Sequence, residues 1–307
     1  MMQPSSLNPV DLQPGDLWGR VRSQTQHALA CGALQSIPTS YEWVESGGVR
    51  FLVRVVTNLI RKDADLRQQL AKPGKPVNPF LPYDDNLCVG GLSEHHVCLL
   101  NKFNVVDHHL LIITRHFEAQ DTWLTSSDFD ALWRCLAEID GLGFYNAGEP
   151  AGASQPHKHL QLISLPMDEE IESCPIAPVV QRALAASADP IVTADLPFAH
   201  GIARLDGMDT SDRHGGPYLS DRYLALAQAL GLLDPSMPLP PQSPPYNLIV
   251  TRQWMLMVPR SQSSYQGVPV NSLGFTGALL ARDHDQLQRV KELDPMTILQ
   301  QVGRSRV

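Results

Sequence analysis

The stretch that decides the fold reads GASQPHKHLQLI and spans residues 152–163. A loop of small residues runs directly into a segment whose polar and apolar side chains alternate. Successive side chains of a β-strand point to opposite faces of the sheet, so His157, His159 and Gln161 share one face while the two leucines of the segment lie on the other. The sequence therefore predicts a strand over 157–163 that lines up three polar groups on one face and packs its leucines into a core.

Further strand and helix patterns surround this segment. An apolar repeat at helical spacing predicts a helix that is capped by Ser126 or Ser127 and ended by Gly141. Strands grouped together with helices inserted among them favour an α+β fold with a mainly antiparallel sheet. The last two strands are separated by so few residues that they should form a hairpin. The other predicted strands cover 97–100, 110–114, 144–146, 246–251 and 255–259, and the other helices cover 221–232 and 284–293.

Composition restricts the classes of partner. The chain has 307 residues, of which 43% are hydrophobic and 18% charged, enough to bury a large core. With 24 Lys and Arg against 32 Asp and Glu, the net charge of -8 offers no basic surface for nucleic acid or an anionic membrane. No apolar run approaches the roughly twenty residues that a membrane-spanning helix needs, and the first residues do not resemble a signal peptide. We therefore expect a soluble protein with no nucleic-acid or membrane partner.

The cysteines indicate a compartment. There are five, an odd number, and none forms a C-x-x-C pair. A chain of this size does not need disulfides for stability, so reduced thiols and a cytoplasmic location are expected.

The loop and the strand together indicate chemistry on phosphorus. Small residues at 151–153 allow a backbone to approach a ligand closely, and exposed amides there, with the Ser154 hydroxyl, can bind phosphate oxygens without cationic side chains. A neutral imidazole beside such a loop can attack phosphorus and form a phosphoramidate intermediate. The amide of Gln161 can then donate to a non-bridging oxygen as negative charge shifts onto it. These residues favour nucleotidyl or phosphoryl transfer.

Two alternative interpretations remain for the histidines. A His-x-His pair can simply pack in a strand, or it can bind a metal with ligands from elsewhere. No cysteines at zinc-site spacing accompany the other histidines, and adjacent His-His pairs direct their rings to opposite strand faces, so no metal site is expected. No phosphate-binding loop of the G-x-x-x-x-G-K-S/T type and no G-x-G-x-x-G motif is present.

Six longer motifs stand in order along the chain: NPFLPYD at 78–84, LLNKFNVVDHHLLIITR at 99–115, FYN at 144–146, GASQPHKHLQ at 152–161, YNLIVTRQWMLMVPR at 246–260 and NSLGFTGALLAR at 271–282. In these motifs the chain resembles the ATP adenylyltransferases that act as diadenosine tetraphosphate phosphorylases. The resemblance implies a histidine-triad-like α+β fold, related to the hexose-1-phosphate uridylyltransferases, and a reaction that cleaves diadenosine tetraphosphate with phosphate to ATP and ADP. It also implies one catalytic unit over 1–307, with an N-terminal part over 8–175 that carries the His-x-His-x-Gln motif and a C-terminal ATP adenylyltransferase region over 190–307.

The same resemblance assigns roles to residues. His159 would attack the α-phosphorus and become transiently adenylylated, Gln161 would hold the phosphate, and His157 would orient His159 or contact the substrate. The family's N-terminal substrate lysine is placed at Lys62, with Arg61 or Arg54 as alternatives. The remaining expected substrate-binding residues are Asn101, Lys102, Asn146, Gly152, Ala153, Ser154, Gln155, Asn271, Ser272, Leu273 and Arg282.

The glutamine favours phosphorolysis over hydrolysis. Histidine-triad hydrolases carry a third histidine where this chain has Gln161, and glutamine does not titrate, so the attacking group should already be anionic. The expected partners are a dinucleoside polyphosphate, ATP, ADP and phosphate, with no tightly bound cofactor and magnesium arriving on the nucleotide. The alternatives are a catalytically silent protein that binds dinucleoside polyphosphates, and a nucleotidyltransferase that uses sulfate or another acceptor. The sequence carries no indication of oligomeric state.

Overall fold

A computed structural model describes residues 9–56, 78–212 and 214–306. Its strands are β1 Thr39–Ser46, β2 Val49–Val56, β3 Cys88–Gly91, β4 His96–Leu100, β5 Leu110–Thr114, β6 Gly141–Asn146, β7 His159–Ser164, β8 Ile191–Val192, β9 Gly201–Arg204, β10 Tyr246–Val250, β11 Trp254–Pro259, β12 Ser264–Tyr265, β13 Val268–Pro269 and β14 Ala278–Ala281. Its α-helices are α1 Leu17–Cys31, α2 Ser126–Glu138, α3 Ala177–Ala186, α4 Gly216–Ala229, α5 Ser272–Phe275, α6 His284–Leu293 and α7 Pro295–Val302.

One large sheet organises the described part of the chain. Nine strands follow the order β3-β4-β5-β7-β6-β10-β11-β9-β8, and every neighbouring pair is antiparallel. A smaller sheet joins β1, β2 and β14, in which β14 runs parallel to β2. The predicted α+β fold with a mainly antiparallel sheet is confirmed, and so is the hairpin of β10 and β11.

Apolar side chains cover both faces of the large sheet. One cluster fills the space under α1, α2 and α4 and includes Leu160 and Leu162 of β7. A second cluster lies on the other face, under the small sheet and α3, α6 and α7, and includes Ile163. Because alternate residues of β7 enter opposite clusters, His159 and Gln161 lie on the face of the second cluster. The predicted division of this strand into a polar row and a leucine row is confirmed.

Helix α2 shows where the predicted cap was wrong. The N-cap is Thr125, not Ser126 or Ser127, since its hydroxyl accepts from Asp128 N at 3.3 Å while the Asp128 carboxylate accepts from Thr125 N at 2.7 Å. This reciprocal pair needs an acidic residue three positions after the cap: Ser126 has none, and Asp130, three positions after Ser127, accepts from Gly216 N instead. Gly141 does not end the helix but opens β6, where a side chain would meet the carbonyl oxygen of Ile163 at 2.7 Å.

Other predicted boundaries shift by a few residues. Strand β6 begins three residues before the predicted start, and β7 begins at His159 because only an isolated bridge pairs His157 with Ala119. Helix α4 begins at Gly216 rather than at residue 221, whereas α6 has the predicted bounds. In the described ranges no helix has the length and apolar character needed to cross a membrane.

Candidate active site

His159 is the first residue of β7, and a backbone hydrogen bond fixes the orientation of its ring. Its Nδ1 donates to the carbonyl oxygen of His157 at 2.8 Å, and because a carbonyl oxygen only accepts, the ring hydrogen is on Nδ1. The lone pair therefore lies on Nε2. The residue is 4% exposed, and burial lowers the pKa of His159 to about 4, so the ring is neutral near pH 7. A neutral ring in this orientation can act as a nucleophile.

The backbone around His159 is fixed by one buried amide, that of Gln120. Its Oε1 accepts from His159 N at 2.8 Å, and its Nε2 donates to the carbonyl oxygens of His159 at 3.2 Å and Asn146 at 2.9 Å. All three of these hydrogen bonds go to backbone atoms. Gln120 therefore ties the end of β6 to the start of β7.

His157 uses both ring nitrogens on protein groups. Its Nε2 donates to Thr114, whose carbonyl oxygen and hydroxyl oxygen both lie at 2.9 Å, and its Nδ1 accepts from Asn78 Nδ2 at 2.8 Å. The residue has no exposed surface, and burial lowers the pKa of His157. The ring of His157 thus braces the segment whose carbonyl oxygen orients His159.

Lys158 anchors this segment on the opposite face. Its ammonium group is buried and lies 2.8 Å from the Glu118 carboxylate and 3.2 Å from that of Asp128, which also binds His96 at 2.9 Å. Burial alone would raise the pKa of Asp128, but the hydrogen bond from His96 and the charge of Lys158 lower it to about 2. The carboxylate therefore stays ionised and holds the strand from below.

Gln161 faces the same side as His159, two residues further along β7. Its Oε1 accepts from His109 Nε2 at 3.0 Å. The facing residues of β5, Leu111 and Ile113, pack with Phe80, whose ring centroid lies 5.2 Å from that of His159. An apolar cluster therefore borders, on the side of β5, the face of β7 that carries His159 and Gln161.

The small-residue loop before the strand is built on Gly152. Its φ is +86°, and a Cβ there would lie 2.6 Å from the carbonyl oxygen of Val270, so both the conformation and the close approach require glycine. The amides of Gly152 and Ala153 donate inside the loop, to Glu149 O at 2.8 Å and Gly148 O at 3.2 Å.

The donors left for a ligand lie further along the loop. Ser154 is exposed, and the amides of Ser154 and Gln155 make no hydrogen bond to any residue in the described ranges. The phosphate-binding donors expected from the sequence are therefore reduced to these two amides and the Ser154 hydroxyl.

Two of the expected substrate-binding residues bind each other. Asn146 Oδ1 accepts from Ser272 N at 2.9 Å, from Ser272 Oγ at 2.8 Å and from Asn247 Nδ2 at 2.8 Å. Both Asn146 and Ser272 are buried. Next to them, Asn271 caps α5 by accepting from Leu273 N at 3.0 Å. These contacts join the loop after β6 to the C-terminal part of the chain.

The remaining expected residues are more scattered. Asn101 Nδ2 lies 3.2 Å from His109 Nδ1, and Lys102 Nζ lies 5.0 Å from the ring centroid of Phe103. Arg282 has a side chain that is 71% exposed and pairs with Asp283 at 3.2 Å.

Of the three candidates for the N-terminal substrate-binding cation, the structure describes only one. Lys62 and its alternative Arg61 lie outside the described residues. The other alternative, Arg54, donates to the carbonyl oxygen of Met167 at 3.1 Å.

Arg260 is a buried cation that sequence reasoning missed. Its guanidinium donates to Asn247 Oδ1 and to four carbonyl oxygens, and within the described ranges it has no carboxylate partner. Burial lowers the pKa of Arg260 to about 9. One of its acceptors is Ala151 O and another is Val270 O, so positive charge sits directly beneath the Gly152 loop. The four carbonyl groups belong to Ala151, Gln262, Val270 and Val302.

Other residues that sequence reasoning missed act by positioning: Asn78, His109, Thr114 and Gln120. A signal existed for His109, since strand alternation from Leu111 and Ile113 places it on the face of Gln161 once β5 is paired with β7. No comparable signal existed for Gln120, which lies in a loop. In the described ranges no group of three or more His, Cys, Asp or Glu side chains is arranged to hold a metal ion.

Comparison with known proteins agrees with this architecture. Residues 7–182 match the model of the Ap4A phosphorylase N-terminal domain, where Ap4A is diadenosine tetraphosphate, and residues 194–305 match that of the ATP adenylyltransferase C-terminal domain. Diadenosine 5',5'''-P1,P4-tetraphosphate phosphorylase 2 of Saccharomyces cerevisiae is 32% identical over 247 residues, covering 72% of this chain and 73% of that protein.

Solved structures show the same fold. The crystal structure of yeast Ap4A phosphorylase Apa2 is similar with a TM-score of 0.74 at 24% identity, covering 95% of each chain. The structure of Apa2 in complex with Ap4A gives a TM-score of 0.73 at 24% identity, covering 95% of this chain and 98% of that one.

The two matched domain models place this antiparallel sheet, with its buried histidine, its glutamine and its glycine loop, among the nucleotidyltransferases. With both of its parts matched by the two domain models, the chain belongs to the Ap4A phosphorylase and ATP adenylyltransferase family.

Proposed function

We propose that this protein cleaves Ap4A with inorganic phosphate to ATP and ADP, by reversible nucleotidyl transfer through an adenylylated His159. The observation that carries the proposal is the 2.8 Å hydrogen bond from His159 Nδ1 to His157 O, which leaves the Nε2 lone pair free to attack. Membership of the family and the similarity to the yeast diadenosine tetraphosphate phosphorylase support the choice of substrate.

The reaction proceeds in two displacements. In the first, Nε2 of His159 attacks the α-phosphorus of Ap4A, a P–N bond forms, and the P–O bond to the remainder breaks, so ATP leaves as an anion. In the second, a phosphate oxygen attacks the same phosphorus, the P–N bond breaks, and ADP leaves. In reverse, His159 attacks the α-phosphorus of ADP and phosphate leaves, and ATP then attacks the adenylyl group so that the P–N bond breaks and Ap4A is rebuilt. Splitting one displacement into two lowers each barrier.

Gln161 makes the acceptor an anion rather than water. An amide donates a hydrogen bond but cannot take a proton from an attacking water molecule. Inorganic phosphate needs no such base, and the ATP leaving group needs little protonation. The loop amides of Ser154 and Gln155, above the buried charge of Arg260, supply the electrostatic environment for the polyphosphate.

We propose further that no cofactor is tightly bound and that magnesium arrives with the nucleotide. ATP, ADP and phosphate are then the small-molecule partners, without nucleic acid or membrane. The cysteines of the described ranges are free thiols, which supports a cytoplasmic location.

The proposal is tested by incubating the purified protein with Ap4A alone, with phosphate, and with sulfate in place of phosphate, and separating the nucleotides by chromatography. With Ap4A in excess over protein, repeated turnover to equal amounts of ATP and ADP is expected only with phosphate, and without phosphate only the single equivalent of ATP released by adenylylation of His159. AMP formed without phosphate would make the protein a hydrolase and overturn the role of Gln161.

Two other outcomes separate the alternatives. A product formed with sulfate would extend the acceptor range. Retained Ap4A binding without any product would make the protein a catalytically silent binder and overturn the proposal.

A further inference from the structure

A chain of hydrogen bonds leads from the backbone of Phe103 to the amide of Gln161. Phe103 N donates to Asn101 Oδ1 at 3.4 Å, Asn101 Nδ2 lies 3.2 Å from His109 Nδ1, and His109 Nε2 lies 3.0 Å from Gln161 Oε1. His109 is 7% exposed, and its ring centroid lies 5.8 Å from that of Phe144. The series of hydrogen bonds therefore ends on the face of β7 that carries His159 and Gln161.

The hydrogen bonds of this series all run in one donor-to-acceptor direction, which the backbone amide of Phe103 sets. A backbone amide can only donate, so it binds the oxygen of Asn101 and turns the Asn101 NH₂ group toward His109. The Nδ1 of His109 must then accept, and in a neutral ring the hydrogen lies on Nε2 and donates to Gln161 Oε1. Burial lowers the pKa of His109 to about 4, which keeps the ring neutral. The NH₂ group of Gln161 is left for the substrate.

The same device occurs a second time in the site, at His157. Phe80 N donates to Asn78 Oδ1 at 3.0 Å, Asn78 Nδ2 lies 2.8 Å from His157 Nδ1, and His157 Nε2 donates to Thr114 O. In both cases an asparagine is followed two residues later by phenylalanine, and the asparagine fixes the tautomer of a buried histidine. Because the second case ends on a carbonyl oxygen, its direction is set independently at both ends.

We infer that His109 is a positioning residue for the transfer reaction, which holds Gln161 with its NH₂ group, not its oxygen, toward the phosphate that gains charge. A carboxamide that is free to rotate would place its oxygen against that phosphate half of the time, where like partial charges repel. This inference deepens the proposed function and rests on it. It assigns Asn101 to the orientation of His109.

The tautomer of His109 can be measured without any activity. In protein labelled with ¹⁵N-histidine, ring nitrogen shifts distinguish protonated from unprotonated nitrogen, and the His109→Gln variant identifies the signal. We expect His109 to carry its hydrogen on Nε2 and His159 to carry it on Nδ1. A His109 ring protonated on Nδ1 would overturn the inference even if the protein phosphorolyses Ap4A normally.

The coupling to Gln161 is tested by a double-mutant cycle. His109→Phe should lower kcat by about 10- to 100-fold with little change in KM for Ap4A, because the amide acts in the transition state. In a Gln161→Ala background the same substitution should change kcat by less than about twofold, since no amide remains to be oriented. Equal losses in both backgrounds would show a merely structural role.

Rescue and control variants complete the test. His109→Gln keeps a donor at the end of its side chain and should recover most of the kcat lost in His109→Phe. His200→Gln is the matched control, because His200 is also buried and also uses both ring nitrogens, on Phe198 O and Ala194 N. It should leave kcat unchanged. A wild-type protein without phosphorolysis would refute the proposed function, while the tautomer measurement would still decide the hydrogen-bond chain.

Discussion

The ring of His159 is oriented by a backbone atom of His157, the carbonyl oxygen that lies 2.8 Å from His159 Nδ1. The two histidines of the motif therefore act differently. His159 supplies the free Nε2, whereas His157 supplies the carbonyl oxygen, and the ring of His157 fixes that oxygen in place by binding Asn78 and Thr114. The His-x-His spacing follows from this contact, because the residue two positions back on the same face is the one whose carbonyl can reach the ring.

Replacing the nucleophile should abolish turnover but spare binding. In His159→Ala the adenylyl intermediate cannot form, so kcat should fall by roughly 10⁴-fold or more. Calorimetric titration should show Ap4A binding within about threefold of wild type, since the loop donors are unchanged. His95→Ala, which removes an exposed histidine, is the control. Full phosphorolysis by the His159 variant would eliminate the covalent mechanism.

The nucleophile should remain active at unusually low pH. Only neutral His159 attacks, and its pKa is lowered to about 4, so activity should be constant from about pH 5 upward and fall tenfold per unit below about pH 4. Single-turnover release of ATP without phosphate is the measurement, because it avoids the ionisation of phosphate itself. A break near pH 6.5, the ordinary value for histidine, would show that the ring is not desolvated in solution.

Stability should fall with acid over a defined window. His109 and His159 each have a folded pKa of about 4 against an ordinary 6.5, so between these values the unfolded chain binds protons that the folded chain does not. Their contribution is therefore complete above pH 6.5 and is lost as the pH falls toward 4, by about 1.4 kcal/mol per pH unit for each ring. Urea unfolding at several pH values gives the free energy of unfolding as a function of pH, and between pH 4 and 6.5 this free energy should change less steeply for His109→Gln than for wild type. Parallel slopes would contradict the shifted pKa of His109.

Gln161→His should partly admit water. A histidine at this position can accept a proton from water, which the amide cannot, so AMP should appear from Ap4A in the absence of phosphate. The ATP to AMP ratio without phosphate, followed by chromatography, is the measurement. Gln161→Asn serves as the control, since it stays non-titrating and should yield no AMP.

Gly152→Ala should destabilise the loop more than its backbone conformation alone explains. The left-handed conformation costs about 1 kcal/mol for alanine. The clash of the new Cβ with Val270 O at 2.6 Å comes in addition. We therefore expect the free energy of unfolding to fall by roughly 2–4 kcal/mol and Ap4A to bind more weakly. Gly207→Ala is matched, because Gly207 has a φ of +80° but no atom within 4 Å of its Cβ position. Equal losses in free energy of unfolding for the two variants would remove the close approach as a cause.

Local patterns predicted the elements well and their junctions less well. Alternation at Leu160 and Gln161 and the helical repeat of α2 are properties of contiguous residues, so the sequence alone specifies them. The cap at Thr125 rests on a local pair with Asp128 that the apolar repeat does not show, whereas the start of β6 depends on pairing with distant strands.

The supporting residues of the site were harder to predict for a related reason. Gln120, His109 and Arg260 act on groups that lie far away in the chain, such as Arg260 on Ala151, 109 positions earlier. Such contacts follow from the strand order, which the residues do not reveal one segment at a time. The family resemblance assigned roles to His157, His159 and Gln161 but none to Gln120, His109 or Arg260.

The seam between β6 and β10 has a consequence for how the chain is made. Strand β6 is fully buried between β7 and β10, yet Asn146 and its partner Asn247 are 101 residues apart. At ribosomal rates of about 5–20 residues per second, β6 waits for roughly 5–20 seconds as an uncovered sheet edge. Such an edge is a template for aggregation until it is paired. The active site is therefore among the last parts of the molecule to be completed, when β10 reaches its place during synthesis.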